Sequence, residues 1–108
     1  MMNTIPLIHG NKRRNGLMLK PELSNKFKRD YNLLFRRGYD ITKLDAVVLI
    51  LLQQSPLEPR HRDHPLIGKW NGYRSCHIAD DWVLVYKVDI GMLKLMLSRT
   101  GTHVDVYG

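Results

Sequence analysis

The run Trp82-Val83-Leu84-Val85-Tyr86-Lys87-Val88 constrains this chain more than any other stretch. β-Branched and aromatic residues suit a pleated, half-buried surface, and no Gly or Pro interrupts them, so the run reads as a strand. Strand-suited segments flank it. Trp70 to Ala79 precedes a turn at Asp80-Asp81, and Met92 to Arg99 follows a hairpin connection at Asp89-Ile90-Gly91. Strands joined by such short turns pair antiparallel. Thr100-Gly101-Thr102 is expected to break the last strand and His103 to Tyr107 to end the chain as an extended piece.

The preceding half reads as helical. Leu23, Phe27, Tyr31 and Leu34 fall on one helical face, Ser24 is a suitable N-cap, and Gly38 follows Arg36-Arg37 as a terminator. A first helix is predicted over 24–37. A second begins after Asp40, with Thr42 as the expected N-cap and Asp45 in a box-like position; Leu44, Val47, Val48, Leu51 and Leu52 form its apolar stripe, and Ser55-Pro56 ends it. Leu17 to Lys20 is an apolar segment suited to an edge strand, whose pairing Pro21 limits. The expectation is α+β: a two-helix hairpin packed on a small, mainly antiparallel sheet in the order β-α-α-β-β-β. Residues 1–16, rich in turn formers and carrying Lys12-Arg13-Arg14, read as an extension, and 17–108 as one domain.

The chain has 108 residues, 44% of them hydrophobic, which suffices for one modest core. No apolar run approaches the roughly 20 residues that span a bilayer, so no membrane partner is expected. The single cysteine, Cys76, excludes an intramolecular disulfide and fits a reducing cytoplasm. The formal net charge is +7. An anionic partner is implied, nucleic acid first and an acidic protein second.

The strand-rich half also carries the chemistry. His61, His64, His77 and His103 lie there with Asp81 and the arginines. Imidazole exchanges protons near neutrality. Cleavage of RNA by its own 2′-hydroxyl needs a base, an acid and donors to the phosphoryl oxygens, and His, Asp and Arg supply these without a metal or other cofactor. Arg74 and Arg99 are expected as phosphate ligands because guanidinium pairs bidentately with phosphate. Trp82 and Tyr107 are aromatics on which bases can stack. A metal reading uses His61-x-x-His64 with His77 and Asp81, but no Cys pair or HExxH motif supports it. Cys76 lacks the surroundings of a catalytic thiolate and reads as a buried strand residue.

Asp63-His64-Pro65-Leu66-x-Gly68-x-Trp70-x-Gly72-Tyr73-Arg74, followed by His77, Asp81-Trp82, Tyr86-Lys87 and Arg99-Thr100-Gly101-Thr102-His103, closely resembles the YafQ branch of the RelE/ParE toxin superfamily. The resemblance covers residues 17–108. It implies a bacterial toxin of a type II toxin–antitoxin pair that cuts messenger RNA in the decoding site of the ribosome. It also implies a cognate antitoxin in a hetero-oligomeric complex. It assigns catalysis to His64, His77, Asp81 and His103, with His103 the general acid, and an aromatic role to Tyr107. RelE itself relies on Lys and Arg along its strands, where this chain has Ser75, Cys76, His77 and Val83. Tyr107 stands where related toxins have Phe. Two alternatives remain at this point: a ParE-like toxin that binds DNA gyrase without cleaving, and an inactive basic interaction module.

Overall fold

A computed structural model describes residues 17–108; the expected 1–16 extension lies outside them. Five strands form one sheet in the order β1-β5-β4-β3-β2. They are β1 (Lys20–Leu23), β2 (His64–Pro65), β3 (Arg74–Ala79), β4 (Trp82–Asp89) and β5 (Lys94–Thr102). Two helices, α1 (Asn25–Arg36) and α2 (Ile41–Leu52), separate β1 from the rest, and a short α3 (His103–Tyr107) follows β5. The neighbours from β2 to β5 pair antiparallel, while β1 runs parallel to β5. The α+β class and helical hairpin are as expected.

Capping chemistry sets the helix ends. Ser24 Oγ accepts from the Phe27 amide at 3.0 Å and starts α1. Gly38, at φ +85°, takes the left-handed position after its end. The second cap differs from expectation. Asp40, not Thr42, caps α2, its carboxylate accepting from the Thr42 amide at 3.1 Å. Asp45 makes no capping box; it accepts from the Tyr31 hydroxyl at 3.2 Å and so ties α2 to α1.

The core lies between the hairpin and one sheet face. Phe27, Tyr31 and Leu34 of α1 and Leu44, Val48 and Leu52 of α2 meet Cys76, Ile78, Leu84, Tyr86, Leu95 and Leu97. On the opposite face, Val83, Val85 and Val106 form a smaller patch with Leu66, Trp70, Tyr73 and Tyr107 against it. β4 thus buries both of its faces, which explains its unbroken apolar run.

Several segment boundaries depart from the sequence reading, the start of β5 at Lys94 rather than Met92 among them. β1 starts at Lys20 and includes Pro21, which the sheet edge tolerates because no second neighbour needs its missing N–H. The strand expected from Trp70 begins only at Arg74, because Gly68–Trp70 forms a 3₁₀ turn and Gly72 sits at φ +94°. Thr100-Gly101-Thr102 does not break β5: Leu84, Val83 and Trp82 pair with these three residues in turn. Thr100 Oγ1 donates to the Val83 carbonyl and accepts from the Trp82 indole, both at 2.8 Å.

The terminal piece is a helix, not extended. Thr102 Oγ1 accepts from the Asp105 amide at 3.1 Å, and the Asp105 carboxylate accepts from the Thr102 amide at 3.2 Å. A Cβ on Gly101 would stand 3.0 Å from Asp105 Cβ, so glycine permits this fold-back. The Thr102 backbone N–H, foremost, holds the Asp105 carboxyl below its usual range. Asp105 therefore contributes stability in full above its unfolded value of about 4, and loses it as pH falls through the lower folded value. Thr102→Ala should cost about 1 kcal/mol in urea unfolding at neutral pH. Asp105→Ala, which removes the carboxylate itself, should also destabilise at neutral pH, and its gap to wild type should narrow on acidification through that window.

Candidate active site

Period-two alternation sorts β3. Cys76 and Ile78 join the helix-side core, so Ser75 and His77 point to the other face. β2 lies antiparallel to β3 with His64 opposite Ser75, which places His64 on that face too. Val83 and Val85 pair with His77 and Ser75 and form the floor. Val106 packs on this floor and brings α3 across it.

The capped start of α3 holds His103, whose ring centroid is 5.4 Å from that of His77, tilted by 59°. His103 Nδ1 bonds the carboxylate of Asp81, from the β3–β4 turn. A carboxylate can only accept, so Nδ1 carries the proton and Nε2 is left to face a ligand. Asp81 therefore fixes the tautomer of His103 and offers compensation to a cationic ring. Both side chains remain reachable, at 46% and 59% exposure. Tyr107, one helical turn beyond, lies 6.0 Å from His103 ring to ring and donates its hydroxyl to Ser75 Oγ at 3.1 Å. His64 donates Nδ1–H to the Arg62 carbonyl at 2.6 Å, which leaves its Nε2 as the free nitrogen.

The tertiary structure thus gathers His64, His77, Asp81, His103 and Tyr107 on one side of the sheet. It treats three other expected residues differently. Trp82 is 4% exposed, its indole N–H is bound to Thr100, and its ring meets Tyr39 edge-on at 5.1 Å. It belongs to the main core and presents no free face to a base. Arg74 shares parity with Cys76 on β3 and pairs with Asp63 at 3.3 Å, a carboxylate that also accepts from Tyr86 of the main core. Arg99 is held by Asp30 at 2.7 and 3.2 Å and donates to the Asp105 carbonyl, so it fastens β5 to α1 and α3. Neither arginine enters the histidine cluster, because each neutralises a carboxylate beside its own strand.

Two residues without an expected role belong to this face. Ser75 receives the Tyr107 hydroxyl. Lys87 extends the Val83–Val85 row, with Nζ 5.4 Å from the centre of the Tyr73 ring. Carrying the alternation of Val83 and Val85 two residues further would have found Lys87. Nothing in the sequence pointed to Ser75, whose partner is 32 residues away. Metal-ligand spacing is not realised: His61 is buried with its ring on the His77 carbonyl, away from His64. Among the described residues, no group of three or more His, Cys, Asp or Glu is placed to hold an ion.

The family model described as the YafQ bacterial toxin of type II toxin–antitoxin systems matches residues 19–108, from the start of the fold through α3. The chain belongs to the YafQ family of type II toxins. The mRNA interferase toxin YafQ of Escherichia coli K12 is 38% identical over 88 residues, covering 81% of this chain and 94% of its own. A crystal structure of Escherichia coli YafQ superposes with a TM-score of 0.78 at 35% identity, covering 83% of this chain and 99% of its own. A copper-bound mutant toxin from Helicobacter pylori gives a TM-score of 0.79 at 40% identity over 83% and 100%. The Escherichia coli DinJ–YafQ complex gives 0.75 at 36% identity over 83% and 99%.

Within this YafQ-family toxin, Cys76 is inert. It is fully buried on β3, and burial pushes its thiol up to about 12. A thiol reagent at pH 8 should leave the native protein unmodified and label it once unfolded in urea. Rapid native labelling would show that β3 opens locally.

Proposed function

We propose that this chain is an mRNA interferase: an endoribonuclease that cuts messenger RNA held on the ribosome by metal-independent acid–base catalysis. The observation that carries the proposal is the Asp81–His103 pair facing His77 across 5.4 Å on an open sheet face, in a chain of the YafQ family. The relatives named as mRNA interferases support the same reaction class.

The chemistry follows from the partners of each ring. His103 has a carboxylate on Nδ1, so its cationic form is compensated and Nε2–H can protonate the departing 5′-oxygen. His77 has no carboxylate among its described contacts. Its neutral ring takes the proton of the 2′-hydroxyl as that oxygen attacks the adjacent phosphorus. Lys87, and His64 through Nε2–H in its imidazolium form, are donors on this face for the phosphoryl oxygens. Tyr107, braced by Ser75, walls the site beside His103 and offers a ring edge to a base. The products are a 2′,3′-cyclic phosphate and a free 5′-hydroxyl, so water is not consumed in the cleavage step.

On this reading the open face leaves the positioning of the strand to the ribosome. In-line attack requires the strand to be bent, and such positioning is worth roughly 7–11 kcal/mol. A shallow face with few aromatic platforms cannot impose that bend, whereas a decoding complex presents the message already held. The +7 charge fits this anionic surface and an acidic antitoxin that occupies the same face in the resting cell. The relative's complex with DinJ supports the second partner.

Labelled messenger should be cut rapidly in a decoding complex, and slowly or not at all when free. Equal rates at matched concentration would point instead to a general ribonuclease. His103→Ala should lower kcat by about 10²–10⁴-fold with the thermal unfolding unchanged. Chelators should leave the wild-type rate as it is. Antitoxin binding should weaken as salt rises, since rim charges are screened.

A further inference from the structure

His61 is a buried polar side chain that the chemistry above does not use, with 4% of its surface exposed. It closes a 3₁₀ turn, Pro59–His61, which lies against β3. Its Nδ1 stands 2.6 Å from the carbonyl oxygen of His77. A carbonyl only accepts, so His61 is the donor and Nδ1 carries its proton.

The position of that carbonyl is particular. The β3–β4 register runs evenly to His77 opposite Val83, then slips before Ala79 meets Trp82. At such an irregularity the ladder is interrupted and the strand can turn, so backbone direction needs another fastener. Side-chain packing does not supply one on the outer side. A groove of about 410 Å³ opens there, lined by Arg60, Arg62 and His77 among others. The same short segment serves the site twice. His61 is turned inward, and the next residue, Arg62, left-handed at φ +47°, holds the outward-facing His64 through its carbonyl at 2.6 Å.

We propose that His61 is a positioning residue for the ribonuclease site: its Nδ1–H bond to the His77 carbonyl fixes the backbone at the β3 irregularity and thereby the aim of the His77 ring toward His103. The inference rests on the acid–base reading of His77 and His103. A displacement near 1 Å in such a pair costs on the order of a hundredfold in rate, so a bond behind the ring is felt in catalysis.

Three substitutions separate this role from filling space. His61→Asn places an amide nitrogen where Nδ1 stands and keeps the donor. His61→Gln carries its nitrogen one bond farther and misses the carbonyl. His61→Phe fills the volume with no donor. On messenger in a decoding complex, the Gln and Phe variants should lose about tenfold to a hundredfold in kcat with KM held, and the Asn variant should keep most of the wild-type rate. Wild-type kcat in all three, or losses confined to KM or shared equally by Asn and Gln, would overturn the proposal. If the Phe variant does not fold, the Asn–Gln contrast decides alone. Imidazole nitrogen spectra supply the arm that is independent of activity. His61 should be the Nδ1–H tautomer, and the His77 ring signals should be kept in the Asn variant and displaced in the Gln variant. If wild type cuts no messenger, the ribonuclease reading fails, and these spectra still judge His61: undisplaced His77 signals in the Gln variant would refute its role.

Discussion

Everything in this fold depends on the pairing of β4 with β5, continued by the antiparallel pairing of β3 on the other side of β4. β4 is the only strand whose successive residues are buried on both faces from Trp82 to Tyr86 among the described residues. Leu84 and Tyr86 hold the helical hairpin, and Val83 and Val85 hold α3 and the aromatic residues behind the site. Because side chains alternate strictly, a slip of one residue would exchange these two sets and lose both. The Trp82–Thr100–Val83 hydrogen bonds guard the register at the end that carries the candidate site.

Charge is distributed along the same frame. Asp30 accepts from Arg99 and from the Thr100 amide at 3.0 Å, Asp63 accepts from Arg74 and Tyr86, and Asp105 accepts from Arg37 and the Thr102 amide. These carboxylates hold strands and caps, and they occupy arginines that a reading of charge alone would aim at phosphate. Asp81 differs in facing solvent with a histidine as its partner. The other pairs fasten two elements; this one sets the tautomer of an exposed imidazole. Burial limits the competing chemistry, as the silenced thiol of Cys76 behind His77 illustrates.

Much was legible because it is local. The apolar stripe of α1, its Ser24 cap and the unbroken run of β4 each follow from residues a few positions apart, and together they determine an α+β hairpin-on-sheet fold. The histidines and Asp81 were legible as residue types suited to proton transfer, and their order in the chain carried the family resemblance. Local signals also competed. Asp40 and Thr42 are both good caps, and the structure starts α2 with Asp40, which accepts from the Thr42 amide.

What remained depends on partners distant in sequence. Thr100-Gly101-Thr102 looks like a strand breaker until β4 lies beside it and supplies the ladder. His103 to Tyr107 looks extended until Val106 finds Val83 and Val85. Trp82, Arg74 and Arg99 have the right chemistry for RNA, yet parity and carboxylate neighbours assign them to the framework. His61 has the chemistry of a ligand but is turned inward to the His77 carbonyl. The sequence by itself determined which elements form and which groups can move a proton, since propensity and acid–base character belong to the residue. Only the tertiary structure decided which of those groups meet, because the face of a strand and the partner of a charge are set by what packs against them.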